Sequence, residues 1–318
     1  MSTLADLLDR RDARLALIGL IVFLIAAAFP WTVPGLAGLP PLLARLVGGL
    51  LIAGLTVANI LALRRMPFEF QVLLAWAELL LVFALFFWSF GLDYRFILAN
   101  VPGLLGFGAG QAFLQGAVLT VVICLVSIAF ATLLALAGAL ARLSGNGLAF
   151  GVATFYISFF RGTPLLLQVL LIYLGLPQIG LTLEAVPAGI IALSLCYGAY
   201  MAEIFRAGIE AVGRGQREAA ASLGLTHAQS MRLVVLPQAM RLVIPPTGNQ
   251  FIAMLKDSSL VSVMGVWELM FLARTYGRAE FKYMEMLITA ALIYWALSAV
   301  FEVIQARIER HYGKGVRP

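Results

Sequence analysis

The chain has 318 residues, 62% of them hydrophobic and 12% charged, with a mean hydropathy of +0.97; this is the composition of an integral membrane protein, not of a soluble domain. Its net charge of +6 comes from 22 basic residues, few of them lysines and none forming a dense stripe, which excludes nucleic acid as a partner. Cys124 and Cys196 both lie in apolar runs without CxxC spacing, so neither a disulfide framework nor a metal site is expected and both read as core residues.

A bilayer core about 30 Å thick takes roughly 20 apolar residues per helix. Candidate spans fall near 15–33, 42–63, 70–90, 113–141, 152–176, 186–209, 244–267 and 284–306, giving an all-α polytopic membrane protein of about eight transmembrane helices. Arginines before the first span and its Ala26-Ala27-Ala28 end imitate a cleaved signal peptide. Asp6, Asp9 and Asp12 interrupt the positive region, however, and the apolar run continues to Val33, so it is read as a span.

The first three spans carry few polar residues besides Asn59 and Glu78, and Glu78 is read as a protonated or hydrogen-bonded structural acid. A Gly-rich outer loop holding Gly103, Gly106, Gly108 and Gly110 follows. Residues 1–110 are therefore expected to form an N-terminal accessory bundle, and 111–318 a five-span core.

In the fifth span, Arg161 and the Gly162-Thr163-Pro164 break suggest that the first part lies along the interface and that the crossing begins near Pro164. Arg161, placed near the inner surface, is read as snorkelling to headgroups rather than as a substrate ligand. Gln168 and Tyr173 lie deeper and are candidates for a cavity lining. Where the sixth span exits, Glu203, Arg206 and Glu210 have the i+3 and i+4 spacings of local ion pairs.

Residues 213–237, GRGQREAAASLGLTHAQSMRLVVLP, are a compact polar interruption between apolar runs. Strong helix formers over 214–223 end at Gly224, which supplies the left-handed conformation that stops a helix. Thr226 and Gln229 have capping-box spacing, so a second helix should start at His227 and stop near Leu236, before Pro237. Basic residues gather on the same side as this elbow (Arg64, Arg65, Arg142, Arg214, Arg217, Arg232, Arg307, Arg310), against Arg95, Arg274, Arg278 and Lys282 on the other. The positive-inside bias then puts the elbow and both termini in the cytoplasm. Held between two spans, such an elbow is stiff enough to pass on a push from a soluble partner; an amphipathic loop helix lying on headgroups fits the residues equally well.

The seventh span is unusual, carrying Pro245, Pro246, Asn249, Gln250, Lys256 and Asp257. With a crossing from about Pro246 to Trp267, the two charges fall halfway, where each costs roughly 2.5–3.5 kcal/mol. Asn249 with Lys256, and Gln250 with Asp257, are seven apart and share helical faces. Pro245, Pro246 and Gly248 permit an irregular start of the kind that lines substrate cavities, with Ser258 and Ser259 adding hydroxyls. The other reading is a scaffold of charges at a dimer interface.

No GxxxxGK[ST], HExxH or GxSxG occurs, so the residues for nucleotide hydrolysis, zinc proteolysis or a serine elbow are missing, and no enzymatic activity is expected. The pattern E-A-A-x3-G-x9-[IV]-x-L-P is met by Glu218, Ala219, Ala220, Gly224, Val234, Leu236 and Pro237. It resembles the EAA loop of ABC importer permeases. FFRGTPLLLQVLLIYLGLP (159–177), AYMAEIFRAGIEAVGRGQREAAASLG (199–224) and LPQAMRLVIPPTGNQFIAMLKDSSLVSVMGVWEL (236–269) are similar to the polar amino acid uptake permeases of that family, over about residues 110–310.

The resemblance implies a type I ABC importer core of five helices, preceded by three accessory helices, in a bacterial inner membrane. It implies a pathway shared with a second permease subunit, identical or homologous, two ABC ATPase subunits that bind ATP and magnesium, and a periplasmic binding protein that delivers a polar amino acid. Glu218 would be the docking glutamate and Gly224 the turn glycine, with Ala219, Ala220, Ser222 and Leu223 in the ATPase cleft. An ion-coupled secondary transporter or channel would also use a broken helix with midplane charges but gives no reason for the elbow. A membrane-embedded enzyme would have only Glu78, or Lys256 with Asp257, for its chemistry.

Overall fold

The computed structural model describes residues 11–28, 40–107 and 114–312. Two compact units divide between Gly91 and Leu92.

The first unit contains α1 (Arg11–Ala28), α2 (Pro41–Leu63) and α3 (Phe68–Trp88). Helices α1 and α2 pack along one another, with Gly49 against the Phe23 backbone and ring, the close approach that small residues allow between membrane helices. The Asn59 amide donates to Glu78 Oε2 at 2.6 Å, so the acid in α3 is hydrogen-bonded to α2.

The second unit begins with α4 (Tyr94–Leu105), whose start is capped by Asp93 accepting from the Phe96 N–H and whose end is the left-handed Gly106. Gly103, placed in the outer loop by sequence, is instead inside this helix. A Cβ there would lie 2.7 Å from the Tyr276 hydroxyl, so the bare glycine lets that ring pack close. Helices α5 (Gly116–Leu143) and α8 (Ala185–Glu210) make the most extensive helix pair. Both present small buried residues at four-residue spacing, Ala131, Ala135 and Ala139 on α5 and Ala188, Ala192 and Cys196 on α8. Ser194 bridges the pair, donating to Ile190 O at 2.6 Å and Ser127 O at 3.2 Å. Cys124 and Cys196 are free thiols buried in this core.

Between them run α6 (Gly147–Gly162) and α7 (Leu165–Leu170), the latter continued by a π-turn over Leu171–Gly175 and a short 3-10 turn to Ile179. The chain bends by 108° at the intervening break. Pro164 sets the bend, and Gln168 holds it by donating its side-chain amide to Phe160 O, Thr163 O and Thr163 Oγ1. The elbow follows as α9 (Arg214–Ser222) and α10 (His227–Ser230), then α11 (Leu236–Asp257), a 3-10 turn over Ser258–Met264, α12 (Leu269–Ala279) and α13 (Tyr283–Tyr312).

Among the described residues five helices, α2, α3, α5, α8 and α13, are long and apolar enough to cross a membrane, and the bent pair α6–α7 makes a sixth if counted as one span. Leu15–Ala28 is a shorter apolar helix. Helix α11 has 22 residues, but its polar side chains keep it out of that set. The expected count of eight thus meets a fold in which two of the segments are broken or polar.

Three local expectations change. Pro237 does not end a helix: a π-turn over Met231–Val235 joins α10 to α11, and Pro237 is the second residue of α11, directly after that widened turn. Nor do Pro245 and Pro246 break α11, which passes through both. Their missing N–H groups leave the Arg241 and Leu242 carbonyls without helical partners, and the stretch is braced from α13 by Gln305, which donates to Pro245 O at 3.2 Å. Lastly, Lys256 and Asp257 are not midway along a helix. They are its last two residues, and the break comes after them.

Candidate functional site

The elbow is built from local rules. Helix α9 closes with the Gly224 N–H on Ala221 O at 2.9 Å and the Leu225 N–H on Ala220 O at 3.1 Å, the paired bonds of a Schellman cap, with Gly224 at φ +77°. Two residues later Thr226 and Gln229 form a complete capping box for α10. Glu218, Ala219, Ser222, Leu223 and Gly224 are exposed, Leu223 at 81%, whereas Ala220 is buried. Ala220 faces the protein, and the other five residues form an outward surface. Arg217 donates to Ile209 O at 2.8 Å and Gln238 to Gln216, tying the elbow to the ends of α8 and α11.

From the elbow, α11 runs antiparallel to α8. Gly208 of α8 touches Val243, and further along the Tyr197 hydroxyl donates to Asp257 Oδ2 at 2.8 Å. Tyr197 lies near the middle of the 26-residue α8, so Asp257 sits at that level too. Lys256, at the C-terminal end of α11, is favoured by the helix dipole, whereas Asp257 is disfavoured by it and gains the Tyr197 hydrogen bond instead. Both side chains are exposed on the surface of the chain. Among the described residues the Lys256 ammonium has no hydrogen bond or ion pair.

The other expected lining residues separate. Asn249 is exposed but accepts from Gln305 at 3.0 Å, and Gln250 is half-buried. Ser258 is buried, donating to Leu255 O at 2.7 Å, and Ser259 is half-buried. Gln168, 3% exposed, holds the α6–α7 bend, and Tyr173 packs against the main core. Glu203 bridges Arg206 at 2.9 Å and pairs with Arg142, while Arg206 also reaches Glu210 at 2.6 Å.

Arg161, in the last turn of α6, lies beside the second half of α8, where Glu203 acts on it electrostatically. The Phe160 carbonyl lies 3.9 Å from Cys196 Sγ, and the Arg161 guanidinium sits 5.4 Å from the centre of the Tyr200 ring; both partners are within one turn of the middle of α8. Helix α6 packs against α8, the Tyr156 hydroxyl donating to Leu195 O at 2.7 Å. Tyr197 and Tyr200 do not stand out by motif, although two tyrosines at i,i+3 in an apolar run are a visible signal.

At the far end from the elbow, Glu268 is fully buried. It caps α12 by accepting from the Met270 and Phe271 N–H groups and takes the Tyr294 hydroxyl at 2.7 Å. Nearby, Asp93 pairs with Lys282 at 2.6 Å.

The second unit thus presents an exposed elbow joined through a π-turn to α11, whose last two residues are Lys256 and Asp257. Comparison with known proteins gives the family. Residues 134–314 match the family of binding-protein-dependent transport system inner membrane components, and the chain belongs to that family. It is 42% identical over 199 residues to the probable amino-acid ABC transporter permease protein YckA of Bacillus subtilis, covering 63% of this chain and 88% of that one. It is 39% identical over 220 residues to the arginine transport system permease protein ArtQ of the same organism, covering 69% and 96%.

Among solved structures, an amino acid ABC transporter crystallised with histidines is similar at 42% identity and a TM-score of 0.58, covering 61% of this chain and 91% of that one. The methionine ABC transporter MetNI in an inward-facing form shares the fold, at 20% identity and a TM-score of 0.54, covering 61% of this chain and 92% of that chain. The fold is thus the type I ABC importer permease fold, and the chain is an inner-membrane transport component.

Proposed function

We propose that this chain is the permease subunit of an ATP-driven importer for polar amino acids. It pairs with a second permease subunit, identical or homologous, to enclose the pathway. Two ATPase subunits, which hold ATP and magnesium, dock on the outward surface of the elbow at Glu218, Ala219, Ser222, Leu223 and Gly224, while buried Ala220 seats α9 against the protein. A periplasmic protein delivers the amino acid from the opposite side, and both termini face the cytoplasm.

The observation that carries this reading is the unbroken connection from the capped elbow through α11 to Lys256 and Asp257. Closure of the ATPases on nucleotide would move the elbow, and α11 would carry that movement to the charged tip, turning the pathway outward; hydrolysis would let it face inward. Asn249, Gln250, Lys256, Asp257, Ser258 and Ser259 line or support the pathway, with Gln168 and Tyr173 shaping the bend beside it. A zwitterion suits a lining that holds both signs of charge. The relatives are named for amino acids, which favours that substrate class.

Reconstitution tests it. Vesicles holding this chain with its ATPase and binding protein should accumulate amino acid only when ATP is supplied. Uptake by the chain alone, down an ion gradient and without nucleotide, would overturn the proposal in favour of a secondary transporter or channel.

A further inference from the structure

The turn between α12 and α13 carries an aromatic residue where its backbone favours glycine. Helix α12 ends in a Schellman cap: the Phe281 N–H donates to Arg278 O at 3.4 Å and the Lys282 N–H to Gly277 O at 2.8 Å. Phe281 occupies the left-handed position of that cap, at φ +57°, the place that Gly224 fills in the elbow. Among the described residues no other non-glycine residue has a positive φ. An L-side chain there crowds its own backbone, and for a bulky residue the conformation is an outlier that glycine or asparagine would relieve.

Nothing within the chain offsets that strain. Phe281 is 92% exposed, more than any other large hydrophobic side chain among the described residues, so its ring buries almost no apolar surface. A single exposed hydrophobic residue is ordinary. One held exposed at a backbone cost is not, and strained residues of this kind gather at functional sites. The turn lies at the end of the unit away from the elbow, directly before the span that starts at Tyr283. The apolar side of α12 is turned inward, where Leu269, Leu272 and Ala273 pack with Leu104 of α4 and Met286 of α13. Its outward side shows Arg274 and Arg278, with Glu280 following. The Lys282 pair with Asp93 brings the start of α4 alongside, with exposed Arg95. With that pair neutral, the arginines outweigh Glu280 and the rim around the ring is basic. A surface that enters lipid presents a continuous apolar face, whereas a lone ring within a charged rim has the anatomy of an anchor between proteins.

We propose that Phe281 is the anchor by which this chain holds the soluble protein that delivers its substrate, the phenyl ring entering an apolar pocket of that protein while Arg95, Arg274 and Arg278 meet an acidic rim around the pocket. This rests on the importer reading and names a contact for its outer partner. Burial of the ring in the complex supplies the apolar gain that the free chain forgoes, and the charged rim sets the approach and the orientation.

The test titrates the binding protein onto the complex of this chain with its ATPase subunits, reconstituted in vesicles, and reads the concentration that half-saturates the stimulation of ATPase activity. Phe281→Gly and Phe281→Asn remove the ring and suit the left-handed backbone. Both should raise that concentration at least tenfold while the melting temperature of the complex stays level or rises, the opposite of what loss of a packed aromatic does. Arg274→Glu should raise it as well, by setting like charge against the acidic rim. A polarity-sensitive dye on Phe281→Cys, over low background because Cys124 and Cys196 are buried, should shift to the blue when binding protein is added and escape quenching by brominated acyl chains in its absence.

Native half-saturation in Phe281→Gly overturns the anchor and leaves the importer reading standing, and native half-saturation in Arg274→Glu overturns the acidic rim. A dye quenched by brominated lipid before any binding protein is added makes Phe281 a membrane contact and overturns the proposal, as does a lower melting temperature in Phe281→Gly. If the binding protein does not stimulate the unaltered complex, the importer reading and the anchor fall together.

Discussion

Gly224 separates two ways in which the elbow could fail. Its φ of +77° is the left-handed region, where an L-residue costs about 1–2 kcal/mol; a Cβ at this position would meet nothing within 4 Å, so the cost within the chain is backbone strain alone. Gly224→Ala should therefore loosen the Schellman cap, lowering the ordered population of the elbow by about 5–30-fold relative to its unfolded form, without any clash. Gly224→Asn tolerates the left-handed conformation and should keep the elbow ordered, yet it adds bulk to the outward surface, as Gly224→Asp does with a charge. Stimulated ATPase activity of the reconstituted complex reads coupling, and hydrogen exchange over 214–230 reads order. Asparagine and aspartate should abolish stimulation with the elbow intact, and alanine should reduce both. Wild-type stimulation in Gly224→Asn would show that the surface around Gly224 is not where the ATPase seats.

Asp257→Asn and Lys256→Met should each lower uptake at least tenfold while the complex still assembles; unchanged affinity and rate in both would leave these residues as scaffold. Gly208→Ala drives a Cβ into Val243 between α8 and α11, an overpacking cost of about 1–3 kcal/mol that should appear as a lower melting temperature in detergent and be relieved by Val243→Ala. The Asp93–Lys282 pair should be nearly independent of pH over the neutral range. The Lys282 partner holds the Asp93 carboxyl below its usual value and the carboxylate holds the Lys282 ammonium above its own. The contribution is thus complete from roughly pH 4 to 10, lost as acid passes the lowered carboxylate value or base the raised ammonium value. Melting curves of the native chain and Lys282→Met should converge only outside that window.

Rules acting within a few residues are legible in the sequence. The Gly224 stop, the Thr226–Gln229 box, the Arg206 pairs and the long apolar helices all depend on neighbours in the chain, and each is in the structure. Contacts between distant segments are not. The Tyr197 bond to Asp257 spans 60 residues and the Gln305 bond to Pro245 another 60.

The π-turn over Met231–Val235 has a consequence for how this helix tolerates changes in length. Such a turn absorbs one surplus residue as a local widening while the helix on either side keeps its facing. Removing a residue within 231–235 should therefore regularise the winding and leave Lys256 and Asp257 pointing as they do. Removing one from the regular stretch near Met240 would swing both charges around the axis by about 100°. The same single deletion is harmless in one place and fatal two turns further on, because only the first site carries slack.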